Sequence, residues 1–506
     1  MNARTIRFII PVTAALAALA CLAADTPPPW LNTTRGWYDF KPANDSGPSV
    51  IGMQDWLEKP AGTRGGVRMV GDHFEFADGT RVKFWGVNLG NMDCAPDKPA
   101  ADTWADRYAK YGVNCVRLHK FINSGSEGIG GERDSTKYDP RKLDQLDYFS
   151  AKLKSNGMYF GWSHSYHFKV RPGDRARLVA YDEIETKLKG DTLGLINAAE
   201  DVQDVMIAAV LALLAHTNAY TGIPYAKEPA LAFIEFQNED DILFYSTTQN
   251  ALDACPTYKR LFVRKWNAWL TNKYRTEQAL EKAWGKEAFD VYGVKNESLE
   301  KQNIALQLNG WFMGNAGLTQ AVDRGTFVRL VDNAAFLHEQ QNAYYSKFLK
   351  ALRDAGYEGP TVGSCWQAPA GIASYYNLLS DYLVGFIDRH NYFGGMGGYR
   401  PVTGTFRNEA HVTHPGSGLL SSGLQQVVDR PFALSEWASV FPNEWYAESP
   451  VMIAAYGLGL QGWDASYQFA SSTGRRGLGY QKALHLGTGM WLTEIPTQIG
   501  MYPLIA

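Results

Sequence analysis

The chain has 506 residues, 45% hydrophobic and 20% charged, with 49 basic against 52 acidic side chains. That length exceeds one minimal domain and suits a large barrel with insertions, whose core folds without a metal or a disulfide lattice. A net charge of −3 with no long basic run argues against nucleic acid as a partner.

Residues 1–24 read as an export signal. Arg4 and Arg7 form a basic start, residues 8–22 are almost wholly apolar, and small residues follow. The apolar stretch is short for a spanning helix, and Asp25 and Pro27 to Pro29 follow at once, so stable membrane insertion is not expected. The implied location is secreted or periplasmic. Cys21 offers a lesser alternative, a lipid anchor, although the usual Leu three residues earlier is displaced by one.

Residues 25–66 are rich in Pro, Gly, Asn and Asp and read as an irregular wrap over the body. Two short runs, 67–70 and 73–76, are followed by Asp78-Gly79, a hairpin signal between alternating runs, and such a hairpin is suited to plugging the N-terminal end of a barrel. From residue 82 onward short apolar runs alternate with longer helical stretches, the rhythm of βα units around a parallel sheet. Eight candidate strands emerge: 82–89, 114–119, 159–165, 231–239, 361–366, 386–392, 432–437 and 459–467. The expected fold is therefore α/β, a (β/α)8 TIM barrel over residues 67–506, with an N-terminal hairpin and a helical insertion after strand 4 at about 240–320. Helices at 99–111 and 141–156 end near Gly112 and Gly157, as helix stops do. The chain ends on apolar Leu504-Ile505-Ala506, an unusual helix stop, which suggests a shortened last helix or a piece of a longer protein.

Cys94, Cys115, Cys255 and Cys365 are far apart with no C-x-x-C pair, so a zinc ribbon is not expected. Cys115 and Cys365 sit in apolar runs. Cys94 and Cys255 fall in loops, where an exported chain can pair them.

Two strand ends carry chemistry. The run Phe233-Ile234-Glu235-Phe236-Gln237-Asn238-Glu239 ends in Asn-Glu where a loop begins, and Phe432-Ala433-Leu434-Ser435-Glu436-Trp437 ends in a carboxylate. Barrel active sites form at the C-terminal strand ends, so strands 4 and 7 would bring Glu239 and Glu436 face to face across one mouth. Either residue alone is equally a helix cap or a rim salt bridge. Two strand ends that coincide in this way suit glycosyl transfer, with Glu239 as acid/base, Glu436 as nucleophile and Asn238 on a sugar 2-hydroxyl. The surplus of aromatic residues, 15 Trp, 27 Tyr and 24 Phe, also suits a carbohydrate partner, whose pyranose faces pack on flat rings.

Other strand ends supply candidates for binding. His390 and Tyr392 lie two apart on one strand face, and Arg117 is placed to favour an ionised Glu436. His164 would reach the floor of the site, with His119 a further candidate, and Trp463 would offer a stacking platform. For a lone His or Trp, a satisfied core residue is the ordinary alternative.

Together these motifs resemble clan A of the glycoside hydrolases, and most nearly the family 5, cellulase-like members. The resemblance rests on Phe84-Trp85-Gly86-Val87-Asn88, Arg117, Asn238-Glu239, His390-Asn391-Tyr392, Glu436 and Trp463, and spans roughly residues 67 to 495. It implies β-linked equatorial substrates, retention of configuration and no cofactor. The long insertion after Glu239 departs from the family pattern. Two other readings stay open. One is a metal-dependent barrel hydrolase using His119, His164, His167 and His390, although strand 1 lacks a His-x-His pair. The other is a carbohydrate-binding barrel without catalysis, which has no need of two acids.

Overall fold

The computed structural model describes residues 36, 46–366, 368, 370–393, 395–396, 405–406, 408–413, 418–439, 443–473, 493–494 and 496–506. The signal reading, Cys21 and most of the wrap's first half lie outside them. Every element below belongs to the unit Asn44–Ala506.

The first strands are a small antiparallel sheet: β1 (Val67–Val70), β2 (His73–Phe76) and β3 (Arg81–Val82). Asp78 and Gly79 turn the chain between β2 and β3. Gly79 takes φ +86°, and the Asp78 carboxylate accepts from the Thr80 amide at 2.9 Å. The sheet plugs the barrel floor through Phe74, whose ring meets Phe84 at 6.1 Å and Phe386 at 5.1 Å.

Eight parallel strands follow: β4 (Phe84–Gly90), β5 (Cys115–His119), β6 (Tyr159–Ser163), β7 (Leu231–Glu235), β8 (Thr361–Val362), β9 (Ile387–Phe393), then, after a short ribbon of β10 (Gly395–Met396) and β11 (Thr405–Phe406), β12 (Phe432–Ser439) and β13 (Ala465–Gln468). β4 to β8 pair in chain order, as do β9, β12 and β13, and β13 pairs with β4. A parallel bridge from Val362 to Phe386 joins β8 to β9 and closes the barrel. The (β/α)8 fold is therefore observed directly. The strands are buried on both faces, as a sheet covered by helices requires. Inside, Gly161 of β6 makes room for Phe233, since a Cβ there would meet the Phe233 ring at 2.1 Å.

The helices start where sequence chemistry puts them. Asp97 caps Lys98–Lys110 through the Ala100 amide, and Asp139 caps Pro140–Ser155 through the amides of Arg141 and Lys142. The insertion between β7 and β8 holds Thr247–Ala254, Pro256–Tyr274, Glu277–Trp284 and Asn315–Asp323, ahead of the long barrel helix Phe327–Asp354. No helix among the described residues is long and apolar enough to cross a membrane.

Two expectations change. The last strand starts at Ala465, not at residue 459, because the apolar run Ile453–Leu460 is a π-helix. Short apolar runs do not tell strand from buried helix. And Cys94, Cys115, Cys255 and Cys365 are all buried free thiols, so Cys94 and Cys255 are not paired. Burial pushes the Cys115 thiol up to about 12 and raises that of Cys94. A chromogenic disulfide reagent should therefore leave these four unmodified in native buffer and modify them all in denaturant; fast native labelling of any one would contradict this packing.

Candidate active site

The site is built around a cation with no access to water. Arg117 projects from β5 into the barrel and is fully buried. One terminal nitrogen donates to Asn88 Oδ1 and to Glu436 Oε1, both at 2.7 Å. The other donates to Glu235 Oε2 at 2.7 Å, Asn238 Oδ1 at 2.8 Å and Ser163 Oγ at 2.9 Å. Burial alone would lower its pKa, but the charges of Glu235 and Glu436 outweigh that and raise it. A planar fork matched to two carboxylates is the use for which Arg is suited. Glu235 was not foreseen as a site residue. The signal was present, because a lone carboxylate inside an otherwise apolar, fully buried strand must find a cation.

Glu436 stands on β12. Its Oε1 takes the Arg117 bond, and its Oε2 accepts from the Tyr392 hydroxyl at 2.8 Å. Burial, then the charge of Glu436, raises the Tyr392 pKa, so the phenol keeps its proton and donates. His119 Nε2 lies 3.8 Å from Glu436 and its Nδ1 meets Ser163 Oγ at 2.8 Å. Burial holds the His119 pKa well below its ordinary value, so this ring is neutral. A β-bulge helps to aim the carboxylate. Leu434 pairs with Arg389 and Glu436 with His390, which leaves Ser435 as the extra residue. The bulge sets Ser435 Oγ 2.9 Å from His390 Nε2.

Glu239 lies four residues past the end of β7, in the left-handed region at φ +46°. Such a conformation costs a non-glycine residue on the order of 1–3 kcal/mol, and it turns the side chain into the mouth. The amides on either side of the turn are anchored, Asn238 on Ser165 O at 3.2 Å and Glu239 on Ser364 O at 3.1 Å. Oε1 of Glu239 meets His390 Nδ1 at 2.7 Å. Burial drives the Glu239 carboxyl up to about 7, against the lowering influence of Arg117 and Lys120. Burial also pushes His390 down to about 4, so at neutral pH their contact is a hydrogen bond rather than an ion pair.

Facing oxygens of Glu239 and Glu436 lie within 4.8 Å of each other. Six of the residues singled out from sequence thus converge: Arg117, Asn238, Glu239, His390, Tyr392 and Glu436. Two do not. His164 follows Ser163, whose hydroxyl points inward to Arg117 and Glu235, so the alternation of a strand turns His164 outward. Its ring packs at 5.9 Å from Phe348 on the long helix, and burial lowers its pKa to about 3. Trp463 precedes β13 and so lies at the opposite end of the barrel. It is fully buried against Phe432 at 5.1 Å and donates to Gln426 at 3.2 Å, so it is a floor residue and not a platform. At the mouth end of β13 the aromatic residue is Phe469, 6.3 Å from Tyr392.

Two sets of side chains bring potential metal-binding atoms together among the described residues: Glu239, His390 and Glu436, and Cys365, Asp388 and His390. In the first set, Arg117 and Tyr392 already occupy both Glu436 oxygens.

No protein-family model matches the chain, and no curated protein matches it by sequence. Among solved structures, the chain is similar to an endo-β-1,4-mannanase from Thermotoga petrophila, with 12% identity over 84% of this chain and 77% of that one and a TM-score of 0.48. It is also similar to an endo-1,4-β-mannanase from Rhizomucor miehei, with 10% identity, 87% and 98% coverage and a TM-score of 0.46. A β-galactosidase from Marinomonas ef1 aligns at 16% identity over 76% of this chain and 53% of that one, with a TM-score of 0.45.

Proposed function

We propose that this protein is a retaining glycoside hydrolase acting on β-linked sugars, with Glu239 as acid/base and Glu436 as nucleophile. One observation carries the reading: two carboxyl groups of opposite environment face each other within 4.8 Å at the barrel mouth. Retaining sites hold their carboxyls about 5–5.5 Å apart, whereas inverting sites need about 6.5–9.5 Å for a water molecule.

In the first step an oxygen of Glu436 bonds to the anomeric carbon. The bond to the leaving oxygen breaks, and that oxygen takes the Glu239 proton. In the second step water attacks the same carbon and passes its proton to Glu239, and Glu436 departs as carboxylate. Tyr392 and Arg117 hold Glu436 in line, and Asn238, itself held by Arg117, lies next to the acid where it can meet a sugar hydroxyl. Export across a membrane, as the N-terminal residues suggest, belongs to the same proposal.

The direct test is a panel of β-linked polysaccharides and aryl β-glycosides, read for released reducing ends or phenol. No release from any of them would sink the reading. A metal-dependent hydrolysis is the competing use of Glu239, His390 and Glu436. The guanidinium 2.7 Å from Glu436 repels a second cation, so chelators should leave the rate unchanged; loss of activity on chelation, restored by a divalent ion, would favour the competitor.

The pH profile follows from Glu239. Its proton is needed in the first step and is bound below about 7, so kcat/KM should fall as pH rises through that value. Asp240 next to it is also pushed up to about 7 by burial and would titrate in the same range. The two separate by leaving group. An aryl glycoside whose phenol departs without protonation should show a flattened basic limb if Glu239 sets it; a limb that persists unchanged would assign it to Asp240.

A further inference from the structure

A chain of aromatic rings leaves the site along the insertion. Trp366 meets His390 edge-on at 6.2 Å, Phe244 meets Trp366 at 5.3 Å, Tyr245 meets Phe244 at 4.7 Å and Trp311 meets Tyr245 at 5.7 Å. Exposure grows along this path, from the half-buried Trp366 and Phe244 to Tyr245 at 38% and Trp311 at 60%. The outer rings are rigidly mounted. The Gly310 amide donates to Tyr245 O at 3.0 Å, and a Cβ on Gly310 would lie 1.9 Å from Leu243 O, so the two segments touch backbone to backbone. Tyr245 is held at φ +46°.

The same segments carry no charge. Residues 242–252 and 302–322 contain no Asp, Glu, Lys, Arg or His, in a chain that is 20% charged. The segments also carry neutral amides and hydroxyls, Asn309, Asn315 and Thr319 among them. An apolar surface this exposed and continuous with a reactive site marks a binding face. A sugar chain offers it C–H faces for the rings and hydroxyls for the amides. Within these two segments a uronate chain would find no cation to offset its desolvation.

We propose that Tyr245 and Trp311 form a platform for the outlying units of a neutral β-linked polysaccharide, so that the enzyme prefers polymers to short glycosides. This rests on the assignment of Glu239 and Glu436 for the chemistry, but its binding component is separable.

The experiment compares Trp311→Ala and Tyr245→Ser with the wild type on two substrates, a soluble neutral β-linked polymer and an aryl β-glycoside. The ratio of kcat/KM on polymer to that on the aryl glycoside should fall roughly 3- to 10-fold per ring lost, the size expected of one aromatic contact. In parallel, Glu436→Gln with and without Trp311→Ala is run on native gels cast with a neutral β-glucan, a β-mannan, a β-xylan or a polyuronate. Retardation by at least one neutral polymer, weakened when Trp311 is lost, is the expected result. An unchanged ratio with unchanged retardation overturns the proposal, as does equal retardation by the polyuronate. A dimer that dissociates when Trp311 is replaced would make a second copy the occupant and overturn it too. If the wild type cleaves nothing but Trp311-dependent retardation is seen, the platform stands and the hydrolase assignment falls.

Discussion

Glu436→Gln and Glu239→Gln should each reduce hydrolysis of an unactivated β-glycoside by about 10³-fold or more, because general acid catalysis alone contributes about 10²–10⁴-fold and the covalent route disappears with its nucleophile. Folding should survive both changes, to different degrees. The Glu239 side chain is 20% exposed and its partner His390 is a neutral ring, so an amide fits there. Glu436→Gln takes one anion from the buried Arg117 and should be the less stable of the two. Azide separates the roles. With an activated aryl glycoside, azide should restore turnover in Glu436→Ala by entering the face opposite the leaving group, giving the inverted glycosyl azide. In Glu239→Ala it should intercept the glycosyl-enzyme and give the retained azide. Magnetic resonance of the product reads the anomer directly; more than a few per cent residual activity in either Gln variant, or the same anomer from both Ala variants, would refute the assignment.

Arg117→Met should have the largest effect on stability. It leaves Glu235 and Glu436 buried without a cation and removes the donor to Asn88, Ser163 and Asn238. Removing one partner of a buried pair costs about 3–5 kcal/mol. Folded domains have only about 5–15 kcal/mol in hand, so the urea midpoint should drop steeply. Arg117→Lys should recover only part of this, since one ammonium cannot reach five acceptors spread over the neighbouring strands and the loop beyond β7. Adding Glu235→Leu to Arg117→Met should restore some stability by removing the anion that has no access to solvent. An Arg117→Met midpoint within error of the wild type would show that the network serves the site without holding the barrel.

Much of this was legible in the sequence, and the reason lies in strand periodicity. An apolar run that stops in a carboxylate is visible without coordinates, and barrel topology makes the stops of strands 4 and 7 share a rim. Asn238-Glu239, Glu436, Arg117 and the His390–Tyr392 pair are readable in that way, and the helix ends near Gly112 and Gly157 are readable from their glycines. The limits of that reasoning show where it was applied without a known strand boundary or parity. His164 lies outside the site because Ser163 occupies the inward parity, and Trp463 lies away from the mouth because the run Ile453–Leu460 is a π-helix and the last strand starts only at Ala465.

Three features were decided only by the tertiary structure, each because it depends on what stands across the barrel rather than along the chain. Glu235 becomes Arg117's second anion because β5 and β7 place them on facing interior positions, 2.7 Å apart at the closest atoms. The high pKa of Glu239 comes from its burial in the mouth, which no local pattern encodes. The approach of the two acids to within 4.8 Å goes with a left-handed residue at the end of one loop and an extra residue, Ser435, in the opposite strand. Strand periodicity selects which residue types reach the rim; strand register and closure of the barrel set how far apart they stand, because side-chain separation across a closed sheet follows from backbone pairing that residues hundreds of positions apart must share.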